Sequence, residues 1–186
     1  MTPGADTSAL LAGIATAVRR SVDAVGRPDP LVLLDGRSGA GKSTLAALLR
    51  RPGEHMLELE RIYPGWDGLA EASRILADDV LVPRAAGRDG RWRRWDWDAD
   101  APAEVHTVPA GVPLIVEGVG ALTRPTAPLA DVRVWLEAPT ELRRERALAR
   151  DGDAYAPHWD RWAAQEDRHI AEHDPRTLAD LVFEIG

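Results

Sequence analysis

Residues 31–44 read Leu31-Val32-Leu33-Leu34-Asp35-Gly36-Arg37-Ser38-Gly39-Ala40-Gly41-Lys42-Ser43-Thr44. The apolar run 31–34 has the length and composition of a strand buried on both faces of a parallel sheet. A glycine-rich turn follows, and then a segment able to form a helix. From Gly36 to Ser43 the chain matches G-x-x-x-x-G-K-[ST] at each fixed position, in the strand–turn–helix context that the pattern requires. Glycine permits the backbone to curl so that its N–H groups converge on phosphate oxygens. The helix that starts near Lys42 adds the positive end of its dipole. Gly36, Arg37, Ser38, Gly39, Ala40, Gly41, Lys42, Ser43 and Thr44 are therefore read as a Walker A phosphate loop. Lys42 is placed to meet the β and γ phosphates and Ser43 to offer its hydroxyl to magnesium. ATP and Mg2+ are the expected cofactors.

Lys42 is the one lysine among 23 lysines and arginines. A chain that uses arginine everywhere else keeps lysine where a compact cation is needed, since the broad guanidinium fork does not fit the same space.

Outward from this loop, strands and helices alternate. Residues 6–25 have apolar positions near helical spacing, with Leu10, Ile14, Ala17, Val18 and Val22 as the inward face. Helices are expected over 43–51, 69–81 (ended by Pro83), 139–150 and 159–173, and further strands over 55–59, 112–116, 132–136 and 181–185. Residues 84–109 are polar and tryptophan-rich and read as an irregular loop; a loop of that length is usually functional or disordered. The expected fold is α/β, a five-stranded parallel sheet flanked by helices in one domain. Its core would span 28–139 and 178–186, with a helical lid over about 140–172.

Composition narrows the function. The formal net charge of −7 disfavours a general nucleic-acid binder, so anions must be met by local clusters such as Arg91, Arg93 and Arg94, or Arg143, Arg144, Arg146 and Arg150. With no cysteine there are no disulfides or thiolate metal sites, and a reducing cytoplasm is the expected compartment. The acidic start at Asp6 does not resemble a secretory signal. No apolar run approaches the roughly 20 residues that span a bilayer, so no membrane partner is expected. The five histidines show no metal-binding spacing. A monomer or homodimer acting on a small molecule is the expected form. The chain also has no asparagine, which rules out the N-K-x-D guanine-reading motif of GTPases. Among small P-loop proteins this leaves the nucleoside and nucleotide kinases.

Four segments carry a resemblance to the uridine kinase-like group of P-loop kinases: Asp35 to Thr44 (DGRSGAGKST), Glu60 to Tyr63 (ERIY), Leu114 to Gly118 (LIVEG) and Arg143 to Asp151 (RRERALARD). The stretch Tyr63 to Leu69 (YPGWDGL) is similar to small actinobacterial ATP-binding proteins of that group. The resemblance implies the P-loop NTPase fold and transfer of the γ-phosphoryl of ATP to a hydroxyl of a nucleoside or related metabolite. The group has an aspartate three residues before a tyrosine, placed to take the acceptor's proton; here Glu60 stands three before Tyr63, with Glu58 as an alternative. Glu117, at the end of the third sheet strand, is implied as a magnesium or acceptor contact alongside Ser43. Trp95-Asp96-Trp97 is similar to the group's nucleoside-pocket stretch, and Tyr63 and Asp67 are further candidate acceptor contacts. Arg146 and Arg150, four apart on one helical face, are implied to stabilise the transferred phosphoryl. Weaker candidates, Arg161 and Arg168, follow on the next helix. The group commonly cradles adenine with a loop after its last strand. This sequence stops at Gly186, so adenine is expected to rest on the lid arginines, with loose base selectivity. An ATP-binding module without turnover and a plain ATP hydrolase are the alternative functions.

Overall fold

The computed structural model describes residues 3–186, with side chains from Thr7 onward; Asp6 thus lies outside the described side chains. Five parallel strands form the central sheet: β1 (Leu31–Asp35), β2 (His55–Glu58), β5 (Leu114–Glu117), β6 (Val132–Glu137) and β7 (Leu181–Glu184), in the spatial order β2-β5-β1-β6-β7. The remaining strands, β3 (Gly90–Asp96) and β4 (Ala101–Val108), form a separate antiparallel hairpin.

Alternation along the sheet strands divides the interior into two cores. Leu31, Leu33, Leu114 and Val116 face one side, where they meet α3 (Leu69–Ile75), the hairpin's Trp92 and α6 (Trp159–His173). Val32, Leu34, Ile115, Val132 and Val134 face the other, under α1 (Pro3–Ala24) and α2 (Lys42–Leu49). Leu33 and Leu34 are fully buried, and truncating either to alanine is expected to cost about 2–5 kcal/mol. On α1, Leu11 and Ala15 are buried together with Ile14, Val18 and Val22, whereas Leu10 is 41% exposed. The inward stripe of α1 is thus displaced from the expected one, away from Leu10 and Ala17.

Two further expectations change. Pro83 does not end the third helical segment. A π-helix (Leu76–Leu81) follows α3 and leads into α4 (Val82–Ala85), with Pro83 in its first turn. The wider π turn relieves the clash between a proline ring and the preceding turn, so the chain continues helical past the proline. Residues 84–109, expected to be irregular, contain the β3–β4 hairpin. Its register shifts at a bulge between Arg93 and Trp95. Trp92 is buried between exposed Arg91 and Arg93, a period of two hidden within a run of large polar residues.

Of the remaining helices, α5 (Thr140–Asp151) follows β6, α6 comes next, and the short α7 (Pro175–Leu178) leads into β7. The segment expected as a lid includes α6, whose inner face is firmly attached to the core. Trp162, Gln165, Glu166 and His169 are buried. Gln165 accepts the Leu69 N–H at 3.3 Å and donates to the Trp66 carbonyl. His169 Nε2 lies 3.1 Å from the Asp35 carboxylate.

Candidate active site

The carboxyl end of β1 turns directly into the phosphate loop. Asp35, fully buried, organises the turn: its carboxylate accepts the N–H groups of Gly36 at 2.6 Å, Gly120 at 3.1 Å and Leu122 at 2.8 Å. Gly36 (φ +148°) and Gly39 (φ +79°) are required by space as well as by backbone angle. A Cβ at Gly36 would stand 2.2 Å from the Leu136 carbonyl oxygen, and one at Gly39 would stand 2.1 Å from that of Arg143. Ala40 is buried at the root of the loop, and Gly41 (φ +99°) leads into α2. Thr44 is exposed on the first turn of α2 and does not reach the cavity described below.

Lys42 is 7% exposed and its Nζ donates to the Arg37 carbonyl at 3.1 Å. Burial lowers its pKa, against the opposing pull of the Glu117, Asp35 and Glu166 carboxylates. Ser43 Oγ donates to Glu117 Oε1 at 2.9 Å. Glu117 ends β5 in register with Leu34 of β1 and Glu58 of β2. Burial raises its carboxyl above the usual range; the Lys42 charge and the Ser43 hydroxyl act in the opposite direction. The Ser43 hydroxyl and Glu117 carboxylate form a pair of hard oxygen donors beside the loop, a set that suits magnesium.

A cavity of about 480 Å³ opens from the loop. Ser38, Gly39, Lys42, Ser43 and Glu117 line one end, and Glu60, Tyr63, Trp97 and Arg150 are also in its wall. Glu60 sits in a 3₁₀ turn (Leu59–Arg61) beyond the end of β2, so strand alternation does not place it with Glu58; only Glu60 reaches the cavity. Tyr63 is buried, with its hydroxyl donated to the Val119 carbonyl at 2.8 Å and its ring edge-on to Trp162. Trp97 donates its indole N–H to the Glu60 carbonyl at 3.1 Å. Arg150 lies in the wall with its guanidinium on Asp151, which holds the Arg150 pKa above its ordinary value.

Other expected residues are elsewhere. Asp67 is exposed and ion-paired with Arg161, outside the cavity. Asp96 is spent on the hairpin turn, accepting the N–H groups of Asp98 at 3.2 Å and Ala99 at 3.0 Å and pairing with Arg94. Trp95 does not line the cavity, because the bulge redirects the strand there. Arg146 is half-buried on α5 and does not line it either. Arg143, from the same arginine group, is buried behind the loop and donates to the carbonyls of Ala138 at 3.0 Å and Ser38 at 3.3 Å.

The structure adds residues that the sequence did not single out. Trp66, Asp98, Tyr155 and Trp162 line the cavity. Glu166, 1% exposed on α6, accepts the Ser38 N–H at 2.7 Å and lies within 4.0 Å of both Arg37 and Arg143. Arg37 is also ion-paired with Asp167. A spacing signal was present for the α6 set, since Trp162, Glu166 and His169 fall at i, i+4 and i+7.

A second cavity, of about 940 Å³, lies between Arg37, the start of α5 at Pro139 to Arg143, and Ile185 and Gly186 after β7. Arg37 is the loop residue in its wall, whereas Ser38, Gly39, Lys42 and Ser43 line the first cavity.

No protein-family model matches the chain. It is 30% identical over 179 residues to the dephospho-CoA kinase of Deinococcus radiodurans, covering 81% of each chain. Its fold is similar to that of a candidate uridine kinase of Bacillus stearothermophilus (TM-score 0.62, 17% identity, 98% of this chain and 100% of the other). It is also similar to a candidate fructose transport system kinase of a Silicibacter species (TM-score 0.54, 20% identity, 93% and 98%).

Proposed function

Because the chain belongs to the nucleoside- and nucleotide-kinase-like group of P-loop kinases, and is thus an ATP-dependent phosphotransferase, we propose that its acceptor is a nucleoside or related hydroxyl compound held in the 480 Å³ cavity. The observation that carries this reading is the single cavity with the phosphate loop at one end and the Glu60 carboxylate in its wall.

In this reading the triphosphate lies along residues 36–44, with Lys42 and the loop N–H groups on its β and γ phosphates and the base on the side of the second cavity. Ser43 and Glu117 would hold Mg2+, which when bound neutralises charge on the phosphate oxygens. The acceptor oxygen attacks the γ phosphorus in line. The bond from that phosphorus to the β–γ bridging oxygen breaks, ADP leaves with the electron pair, and the acceptor's proton passes to Glu60. Arg150 stabilises charge on the transferred group. Trp66, Trp97 and Trp162 exclude water, limiting transfer to water itself. Closure is assigned to the 3₁₀ turns between α5 and α6, since α6 is anchored by Gln165, Glu166 and His169.

The test is incubation with labelled ATP, Mg2+ and a panel of nucleosides, nucleotides and sugars, with dephospho-CoA included. Release of ADP that depends on a nucleoside supports the reading. ADP release without acceptor points to a hydrolase, and tight ATP binding with no release under any condition overturns both enzyme readings.

A further inference from the structure

The wall of the 480 Å³ cavity has an uneven distribution of charge. Its two cations are Lys42 and Arg150. Lys42 is in the phosphate loop, and the guanidinium of Arg150 is engaged by Asp151 at 2.8 and 2.6 Å. Glu117 is engaged by Ser43 at the same end. Away from the loop the wall is aromatic and acidic, with Trp66, Trp97, Glu60 and Asp98.

The hydrogen-bonding capacity of this end is equally one-sided. Two of its neutral donors are spent: Tyr63 Oη donates to the Val119 carbonyl and Trp97 Nε1 to the Glu60 carbonyl. The Glu60 and Asp98 carboxylates have no hydrogen-bond or ion-pair partner among the described residues. Trp66 and Trp97 meet at a centroid distance of 5.0 Å and an interplanar angle of 57° beside those carboxylates; Trp66 is also stacked on His158 (4.2 Å, 14°) and Tyr155 (5.5 Å, 9°), which leaves Trp97 as the freer ring. The neighbouring arginines are committed elsewhere, Arg94 to Asp96 and Glu104, Arg161 to Asp67, and Arg61 over the Trp92 ring. Aromatic faces attract cations, and ionised carboxylates accept hydrogen bonds without donating any. A phosphate brought here would face Glu60 and Asp98, and the nearest cation in the wall, Arg150, is already shared between Asp151 and the charge of Glu60.

Taking the cavity as the acceptor site of the reading above, we infer that it selects its acceptor by charge: it favours a hydroxyl compound that carries a cationic nitrogen and rejects one that already carries a phosphate. Trp97 receives the cation on its face, and Asp98, with Glu60, supplies the balancing charge.

The test uses two matched sets of probes: glucose, glucosamine and glucose 6-phosphate; and cytidine, 3-methylcytidine and cytidine 5′-monophosphate. Binding to the full chain is measured by calorimetry, with Mg2+ and a non-hydrolysable ATP analogue present. In at least one set the cationic member is expected to bind about tenfold more tightly than the neutral one, and the phosphorylated member about tenfold more weakly, each factor equivalent to about 1.4 kcal/mol. Asp98→Asn, at an exposed position, should narrow the gap between cationic and neutral probes to about threefold or less while leaving binding of the ATP analogue unchanged. The inference is overturned if neither set shows the order, if a phosphorylated probe binds as tightly as its neutral partner, if no probe binds, or if Asp98→Asn leaves the gap intact. ADP release is followed separately with ATP. The expected binding order without ADP release would retain the charge inference and sink the phosphotransfer reading. ADP release favouring phosphorylated acceptors would do the reverse.

Discussion

Glu166 on α6 accepts the backbone N–H of Ser38 in the phosphate loop at 2.7 Å. The bond spans 128 residues of sequence, and the carboxylate is buried with Arg37 and Arg143 nearby. Glu166→Ala would leave a buried N–H without its acceptor and remove the counter-charge to two arginines. The expected loss of stability is about 1–3 kcal/mol, with a raised KM for ATP. Glu166→Gln keeps an oxygen acceptor and should restore most of both. Thermal melts and ATP titrations of the two variants check this, and equal behaviour of Ala and Gln would show that the hydrogen bond does not hold the loop.

Gly39 is pressed against the carbonyl of Arg143 at a positive φ of +79°. Gly39→Ala must displace the loop or α5. Displacement of the order of 1 Å at this point should lower kcat/KM for ATP about 100-fold, with a smaller effect on the melting temperature. Steady-state kinetics and a melt on the same sample separate the two.

Glu60 and Lys42 are expected to fail in different ways. Glu60→Gln should lower turnover about 100-fold or more while leaving ATP binding in place. An effect below about threefold would reassign Glu60 to structure. Lys42→Arg should impair ATP binding as well, because the Nζ site beside the Arg37 carbonyl is enclosed and the guanidinium is broader. Isothermal titration with ATP distinguishes the two patterns.

Glu117 gives a pH dependence with a definite sign. Its folded pKa lies above the ordinary 4.5, chiefly through burial. The folded state therefore holds this proton more tightly than the unfolded chain does. The corresponding stability is complete below 4.5 and is lost as the pH rises through the raised folded value. Glu117→Gln imitates the protonated form. Without Mg2+ it should raise the melting temperature at pH 8, and the gain should vanish as the pH approaches 4.5. If Glu117 holds Mg2+ as proposed, activity runs the opposite way, since a magnesium ligand must be ionised. The acid limb of the rate profile should fall above pH 4.5 and move lower as Mg2+ is raised. A melting temperature for Glu117→Gln that is below wild type at pH 8 would contradict the assignment.

The parts legible in the sequence were those encoded locally. The phosphate loop is a contiguous motif, and the five sheet strands are short apolar runs; both are where the sequence placed them. The cavity was legible only in part. Lys42, Ser43, Glu60, Tyr63, Trp97, Glu117 and Arg150 line it, but Asp67, Trp95, Asp96 and Arg146 do not. Asp96 and Asp67 have ordinary local uses, a turn and a surface ion pair, that a motif cannot distinguish from ligand contacts. Glu166 stands in a helix rich in charge, and only the packing of α6 against the loop turns that acid inward. The hairpin was missed because arginines and aspartates conceal its alternation, and a bulge breaks it midway.

That hairpin has a consequence for how such a protein can change over time. Trp97 and Asp98 lie at the hairpin tip, outside the five-stranded sheet, whereas Lys42 and Ser43 begin α2 and Glu117 ends β5. In the proposed reading, this part of the acceptor wall is thus carried apart from the phosphate loop. Replacing the tip, residues 97–100, is expected to leave the sheet register and the phosphate loop untouched. New preferences can be sampled there without risk to the inherited engine.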